Sequence, residues 1–126
     1  MHENEIGSRI VDCAVRLHME LGPGLMESVY EITLANRLRN LGLSVDRQVS
    51  IPIEFDEHKF HEGFRADLIV GGKVIVEIKS LDALHPVHRK QVLTYLRLTG
   101  IKLGYLLNFG EYLLKDGMVR LINGDL

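Results

Sequence analysis

Two consecutive glycines, Gly71 and Gly72, separate two apolar runs near the middle of the sequence and strongly constrain the fold. Glycine readily adopts the positive φ angles that two-residue hairpin turns require, so the flanking runs are predicted to pair as antiparallel strands. Both runs are short and rich in β-branched residues, which is typical of strands. A sheet is therefore expected at the heart of the 126-residue chain, whose length fits one domain over residues 1–126.

Hydrophobic periodicity predicts the other elements. Apolar residues at three- and four-residue steps predict helices that end at Leu21 before Gly22-Pro23-Gly24, that span Leu25 to Leu41, and that span His85 to Thr99. Alternating or continuous apolar runs predict strands at Val45–Phe55, Lys59–Val70 (as one strand or two), Lys73–Lys79, Lys102–Phe109 and Met118–Ile122. The order ααβββαββ predicts an α/β fold in which helices flank a mixed β-sheet, with parallel strands before and after the third helix.

The composition excludes several classes of protein. Cys13 is the only cysteine, which excludes an internal disulfide and a cysteine-rich zinc site, and we expect it to be a small buried residue of the first helix. No apolar run of about 18 residues is present, and the polar start lacks the features of a secretory signal, so we expect a cytoplasmic protein without a membrane span. The formal net charge of −2 means that a nucleic acid would be met by a local basic patch or by a bound cation.

Among the charged residues in the two strands of the glycine hairpin, three carry the chemistry: Asp67 before the turn, and Glu77 and Lys79 after it. Alternation places Glu77 and Lys79 on one face, and the hairpin places Asp67 beside them. Two adjacent carboxylates favour a shared proton or a cation, and Mg²⁺ takes one or two carboxylates while keeping several waters. We therefore expect a divalent-metal centre at the edge of the sheet, suited to phosphodiester hydrolysis. The alternative is a structural ion pair between Lys79 and one of the acids, because the short pattern alone is weakly specific.

These residues resemble the signature of the PD-(D/E)XK nuclease superfamily, in which an Asp ends one strand and (D/E)-x-K follows on the next. Asp67 and Glu77-Ile78-Lys79 match it, although Ala66 stands where a proline often precedes the Asp. Gly24–Tyr30 fits G-x-x-E-x-x-Y and resembles the GxxExxY proteins, and Gln91–Tyr95 fits the Q-x-x-x-Y motif of the RecB-type branch. The resemblance extends from about Glu5 to Phe109 and implies a restriction-endonuclease-like fold, a mixed β-sheet flanked by α-helices.

The resemblance also implies roles for individual residues. It implies a nuclease that uses Mg²⁺ or Mn²⁺ and acts on DNA, or alternatively RNA. The implied metal ligands are Glu27, Asp67 and Glu77, and the implied catalytic set is Asp67, Glu77, Lys79, Gln91 and Tyr95. Lys79 would orient or deprotonate the attacking water, or neutralise the phosphate. Tyr30 shares a helix face with Glu27 and would either hydrogen-bond a carboxylate or pack in the core.

Three further features carry weaker predictions. His88, Arg89 and Lys90, close to His85, predict a nucleic-acid contact at the start of the third helix, with an ordinary solvated face as the alternative. His58 and His61 are predicted to be exposed strand residues, and a metal-binding pair is the alternative reading. Arg65 shares the face of Asp67 by alternation, so the two are expected to pair.

A second function remains open from the sequence. A chain that keeps the fold without catalysis would be a module that binds nucleic acid or a protein partner within a repair or defence assembly. The small size also favours a homodimer, because one domain of this length contacts little of a duplex.

Overall fold

The computed structural model describes all of residues 1–126 and places three helices around a five-stranded sheet. The helices are α1 (Glu3–Leu21), α2 (Glu27–Asn40) and α3 (Pro86–Thr99). The strands are β1 (Val45–Phe55), β2 (His58–Val70), β3 (Val74–Lys79), β4 (Leu103–Asn108) and β5 (Met118–Ile122), with a short 3-10 helix (Leu114–Gly117) before β5. The predicted helices, strands and mixed α/β architecture are confirmed, and the second strand is continuous.

The strands lie in the order β1-β2-β3-β4-β5. Only β3 and β4 run parallel, joined by the crossover through α3, and the other neighbours are antiparallel. Gly71 and Gly72 have φ angles of 61° and 68°, as the predicted hairpin turn requires. The sequence predicted that the metal centre lies at the edge of the sheet. This position is wrong, because β2 and β3, which carry Asp67, Glu77 and Lys79, each have a neighbouring strand on both sides.

Helices cover both faces of the sheet. On one face α1 and α2 pack against a core of 20 buried residues, and on the other α3 covers a cluster of only six. Val74, Val76 and Ile78 of β3 belong to the larger core, whereas Ile75 belongs to the α3 side. By alternation Glu77 faces the thinner α3 side, where a polar group is closer to solvent.

The hairpin of β1 and β2 switches faces part way along its length. Val45 packs in the larger core but Val49 packs on the α3 side, with Gln48 between them at a φ of +51°. Leu68 and Ala66 of β2 divide between the two cores in the same way. A regular strand would keep residues two apart on one face, so both strands turn over at the level of Gln48 and Asp67.

Phe109, just beyond β4, joins the helices to the end of β3. Its N–H donates to the Lys79 carbonyl at 2.8 Å, and its own carbonyl accepts from the His18 ring at 3.2 Å and from the Gly24 N–H at 3.3 Å. Tyr30 of α2 stacks on the Phe109 ring with centroids 4.3 Å apart. These contacts hold the start of α2 beside the end of β3. None of the three helices combines the length and apolar character needed to cross a membrane.

Candidate active site

The ladder between β2 and β3 ends at the pair Leu68 and Val76. At the next level the side chains of Asp67 and Glu77 replace main-chain pairing. The Asp67 N–H donates to Glu77 Oε1 at 3.0 Å, and the Ile78 N–H donates to Asp67 Oδ2 at 2.8 Å. The structure therefore brings the two acids together in the gap where the strands part, each carboxylate anchored to the other strand.

The environment of this pair disfavours two negative charges. Glu77 is only 7% exposed. Its burial, and then the charge of Asp67, raise the pKa of Glu77 to about 8, although the Asp67 N–H and Lys79 act in the opposite direction. Near neutral pH the pair therefore holds a proton unless a cation takes its place.

Lys79 lies at the end of β3, half-buried and without an ion pair to either acid. Its charge nevertheless lowers the pKa of Glu77 and of His88, so it lies within electrostatic range of both. The structural ion pair offered as the alternative from the sequence is absent. The expected pairing of Arg65 with Asp67 is also wrong: Arg65 binds Glu62 at 2.6 Å, because the strand turns over between Arg65 and Asp67.

A network around the buried Glu31, which includes the half-buried Arg47 and the exposed Gln48, was not predicted from the sequence. Glu31 is 5% exposed and binds Arg47 through two bonds of 2.7 and 3.0 Å. The Gln48 amide donates to Glu31 Oε1 at 2.7 Å and to Asp67 Oδ1 at 3.3 Å. Glu31 lies three residues before the buried Leu34, and an acid on a buried helix face signals that a partner is needed. No comparable signal marks Gln48.

Glu27 is not brought together with Asp67 and Glu77. It is exposed in the first turn of α2, and no three His, Cys, Asp or Glu side chains converge as a set that could hold a metal ion. The acid of α2 that connects to the pair is Glu31, one turn further along the helix. Glu27 is close enough to His88 to act on its pKa, which places Glu27 at the rim of the site.

The α3 residues of the predicted site differ in their surroundings. Tyr95 is half-buried and stacks on Phe64, with ring centroids 4.0 Å apart and planes within 2°. Burial, followed by the charges of Glu77 and Asp67, raises the pKa of Tyr95, so its hydroxyl lies within electrostatic range of both acids. Gln91 is exposed, and its side chain makes no hydrogen bond within the protein.

His88, Arg89 and Lys90 do not form one surface. His88 is half-buried and accepts the His85 N–H at its Nδ1, 3.0 Å away. Burial, and then the nearby charge of Lys79, lower the pKa of His88, so this residue lies within electrostatic range of Lys79. Arg89 instead lines a cleft with His85 and two acids of the segment before β5, Glu111 and Asp116. Lys90 is exposed.

Two remaining candidates lie outside the acidic pair. Tyr30 is fully buried, and its hydroxyl donates to the Gly22 carbonyl at 2.6 Å and accepts the Leu25 N–H at 3.0 Å. It therefore packs and fixes the loop before α2 and binds no carboxylate. His58 and His61 are exposed on β2, as predicted, and belong to no group of three or more side chains that could hold a metal ion.

The donors at the pair fit a hard divalent cation. Asp67 and Glu77 provide carboxylate oxygens only, which suits Mg²⁺ or Mn²⁺ and disfavours softer metals. Each carboxylate accepts one main-chain N–H through an oxygen, and further lone pairs remain on each group for a cation. Two carboxylates match the ligand number that Mg²⁺ takes when it keeps several waters.

The comparisons with known proteins agree with this geometry. No curated protein matches the chain. The family model described as the PD-(D/E)XK nuclease superfamily matches residues 4–121, nearly the whole chain. With the mixed sheet, the flanking helices and the paired acids between neighbouring strands, the chain belongs to the PD-(D/E)XK nuclease superfamily.

Proposed function

We propose that the protein is a metal-dependent nuclease that hydrolyses phosphodiester bonds in DNA, with RNA as the alternative substrate. The observation that carries the proposal is the contact between Asp67 and Glu77 in the gap between β2 and β3. Two acids that repel each other in a mostly buried site are costly to a protein that only binds, but they are useful to one that captures a cation.

Asp67 and Glu77 would hold the cation, Mg²⁺ or Mn²⁺. When bound there, the ion would offset charge on a phosphate oxygen and lower the pKa of a coordinated water. Glu27, exposed at the rim of the site, would act only through a water, because it contacts neither acid.

Lys79 would orient the attacking water or neutralise the scissile phosphate. Its ammonium has no carboxylate partner in the protein, so it is free to bind an incoming anion. The Tyr95 hydroxyl and the Gln91 amide would donate hydrogen bonds to the phosphate or to groups around it. His88, with Arg89 and Lys90 further out, would contact the backbone of the nucleic acid.

Within the superfamily, we assign the chain to the GxxExxY proteins and to the branch with the Q-x-x-x-Y motif. Support comes from the two motifs, Gly24–Tyr30 at the start of α2 and Gln91–Tyr95 within α3. A homodimer in the cytoplasm is part of this proposal, since one chain offers little surface to a duplex.

The second candidate is a catalytically silent nuclease-fold module that binds nucleic acid or a protein partner in a repair or defence assembly. Two observations favour it: Glu27 is not assembled with Asp67 and Glu77, and the net charge is −2. Cleavage of a nucleic acid would distinguish the nuclease from this silent module.

The test is cleavage of end-labelled single-stranded, duplex and branched DNA, and of RNA, with Mg²⁺, Mn²⁺ or a chelator. We expect cleavage only with a metal, and loss of cleavage in both Asp67→Asn and Lys79→Met. Lys79→Met should still bind Mn²⁺, whereas Asp67→Asn should not. Asp46→Asn is the matched control, because it removes an exposed acid from β1 of the same sheet.

Binding of DNA without cleavage of any substrate, and without an effect of metal, would establish the silent module. Cleavage that persists in Asp67→Asn would exclude this pair as the catalytic centre.

A further inference from the structure

We infer that Gln48 is a positioning residue that orients Asp67 for metal binding, and that the ion pair of the buried Glu31 with the half-buried Arg47 holds Gln48 in place. The inference rests on the proposed function, since it concerns how the proposed metal centre is built. It starts from the contact of the Gln48 amide with both Glu31 and Asp67.

Gln48 has an uncommon backbone conformation that the packing of its strand holds in place. Its φ of +51° is unusual for a residue other than glycine, and Gln48 lies inside a strand and not in a turn. This conformation lets Arg47 turn towards α2 while Val49 packs on the α3 side. The same turn-over points the Gln48 side chain to the level of Asp67.

The carboxamide of Gln48 is fixed at its nitrogen. One N–H binds Glu31 Oε1 at 2.7 Å, and the second reaches Asp67 Oδ1 at 3.3 Å. The other oxygen of Asp67 accepts the Ile78 N–H at 2.8 Å. Each Asp67 oxygen therefore has one donor, which sets the orientation of the carboxylate and leaves a lone pair on each oxygen.

The network also keeps positive charge away from Asp67. Arg47 is adjacent in sequence to Gln48, yet its guanidinium is engaged by Glu31 in two hydrogen bonds. The group presented to Asp67 is consequently a neutral amide, which orients the carboxylate without neutralising it. Outer partners of this kind fix the ligand and preserve its attraction for a cation.

The experiment exploits the positive φ of Gln48. Gln48→Gly suits the backbone and removes the amide, while Gln48→Met keeps the chain length and also removes the amide. Glu57→Gly is the matched control, because Glu57 has a φ of 65° at the far end of the same hairpin. Mn²⁺ affinity is measured by calorimetry and thermal shift, and the Ile78 amide resonance is followed by NMR without metal.

We expect both Gln48 variants to bind Mn²⁺ ~10–100-fold more weakly, the range known for lost outer partners of metal ligands. Gln48→Gly should melt at the wild-type temperature or above it, and both variants should shift the Ile78 amide resonance. Glu57→Gly should change neither the affinity nor that resonance. Weaker binding in a protein that is no less stable separates positioning from a structural role.

Wild-type Mn²⁺ affinity and an unmoved Ile78 resonance in Gln48→Gly would overturn the inference and leave the metal centre intact. Failure of the wild-type protein to bind Mn²⁺, or wild-type affinity in Asp67→Asn, would instead overturn the proposed function. The Ile78 resonance would then still decide whether Gln48 orients Asp67.

Discussion

Two halves of one strand pair behave in opposite ways. Near the glycine turn, β2 and β3 form a regular ladder from Val70 and Val74 to Leu68 and Val76, with apolar side chains on both faces. One residue further on, Asp67 and Glu77 bind main-chain N–H groups that a ladder would have used. The site therefore arises where strand pairing stops. The main chain is satisfied by the same carboxylates that remain available to a cation.

Glu77→Gln should have the largest effect of the variants, because it changes the part of β2 and β3 that forms the candidate site. The amide keeps the shape but cannot supply a charged oxygen, so we expect cleavage to fall at least about a thousandfold, or about 4 kcal/mol in the barrier. Single-turnover cleavage and Mn²⁺ calorimetry measure the loss. Cleavage at a tenth of the wild-type rate or more would show that Glu77 is not a metal ligand.

Ile75→Ala should change the stability of the regular β2–β3 ladder and leave the candidate site intact. Ile75 is fully buried beneath α3, so we expect the free energy of unfolding to fall by about 3 kcal/mol. Mn²⁺ affinity below the melting temperature should stay within about twofold of wild type if the two halves are independent. Urea denaturation and calorimetry test this, and a large loss of affinity would show that they are coupled.

The stability of the metal-free protein should depend on pH through Glu77, and no residue of the regular ladder should contribute in this way. The pKa of Glu77 in the folded protein, about 8, lies above its ordinary value of 4.5, so the folded state holds an extra proton between these values. The free energy of unfolding therefore does not change with pH through Glu77 below pH 4.5. Between pH 4.5 and about 8 it falls as the pH rises, by up to ~1.4 kcal/mol per pH unit, because unfolding then releases the proton that the folded protein holds on Glu77. Urea denaturation in chelator, wild type against Glu77→Gln, should show this difference. Parallel curves would contradict the raised pKa.

Glu27→Gln should have the smallest effect. Glu27 is exposed and contacts neither acid, so its charge acts through solvent, and we expect Mn²⁺ affinity to fall about threefold, ~0.6 kcal/mol. Glu77→Gln, measured in parallel, sets the scale. An equal loss in the two variants would mean that α2 brings Glu27 into direct contact with the metal.

The fold could be predicted from the sequence because its signals are local. The turn at Gly71 and Gly72 and the apolar periods of the helices each depend on neighbouring residues. The meeting of Asp67 and Glu77 followed from the same hairpin. These features required no knowledge of how distant elements pack.

The surroundings of Asp67 and Glu77 could not be predicted, because they depend on how elements distant in sequence pack together. Glu27 and Glu31 are four residues apart on one helix face, and which of them connects to Asp67 depends on how α2 lies on the sheet. The left-handed backbone of Gln48 has no sequence signal, because it follows from packing on both faces. The pairing of Arg65 was predicted wrongly because strict alternation fails where the strand turns over.

Phe109 has a consequence for how the molecule opens. Its main chain and ring link α1, α2 and the last residue of β3, so the Lys79 end of that strand cannot detach while both helices stay docked. Amide hydrogen exchange at Phe109 should therefore require nearly global unfolding. Fraying at the turn end of the β1–β2 hairpin would therefore leave the Lys79 end of β3 in place.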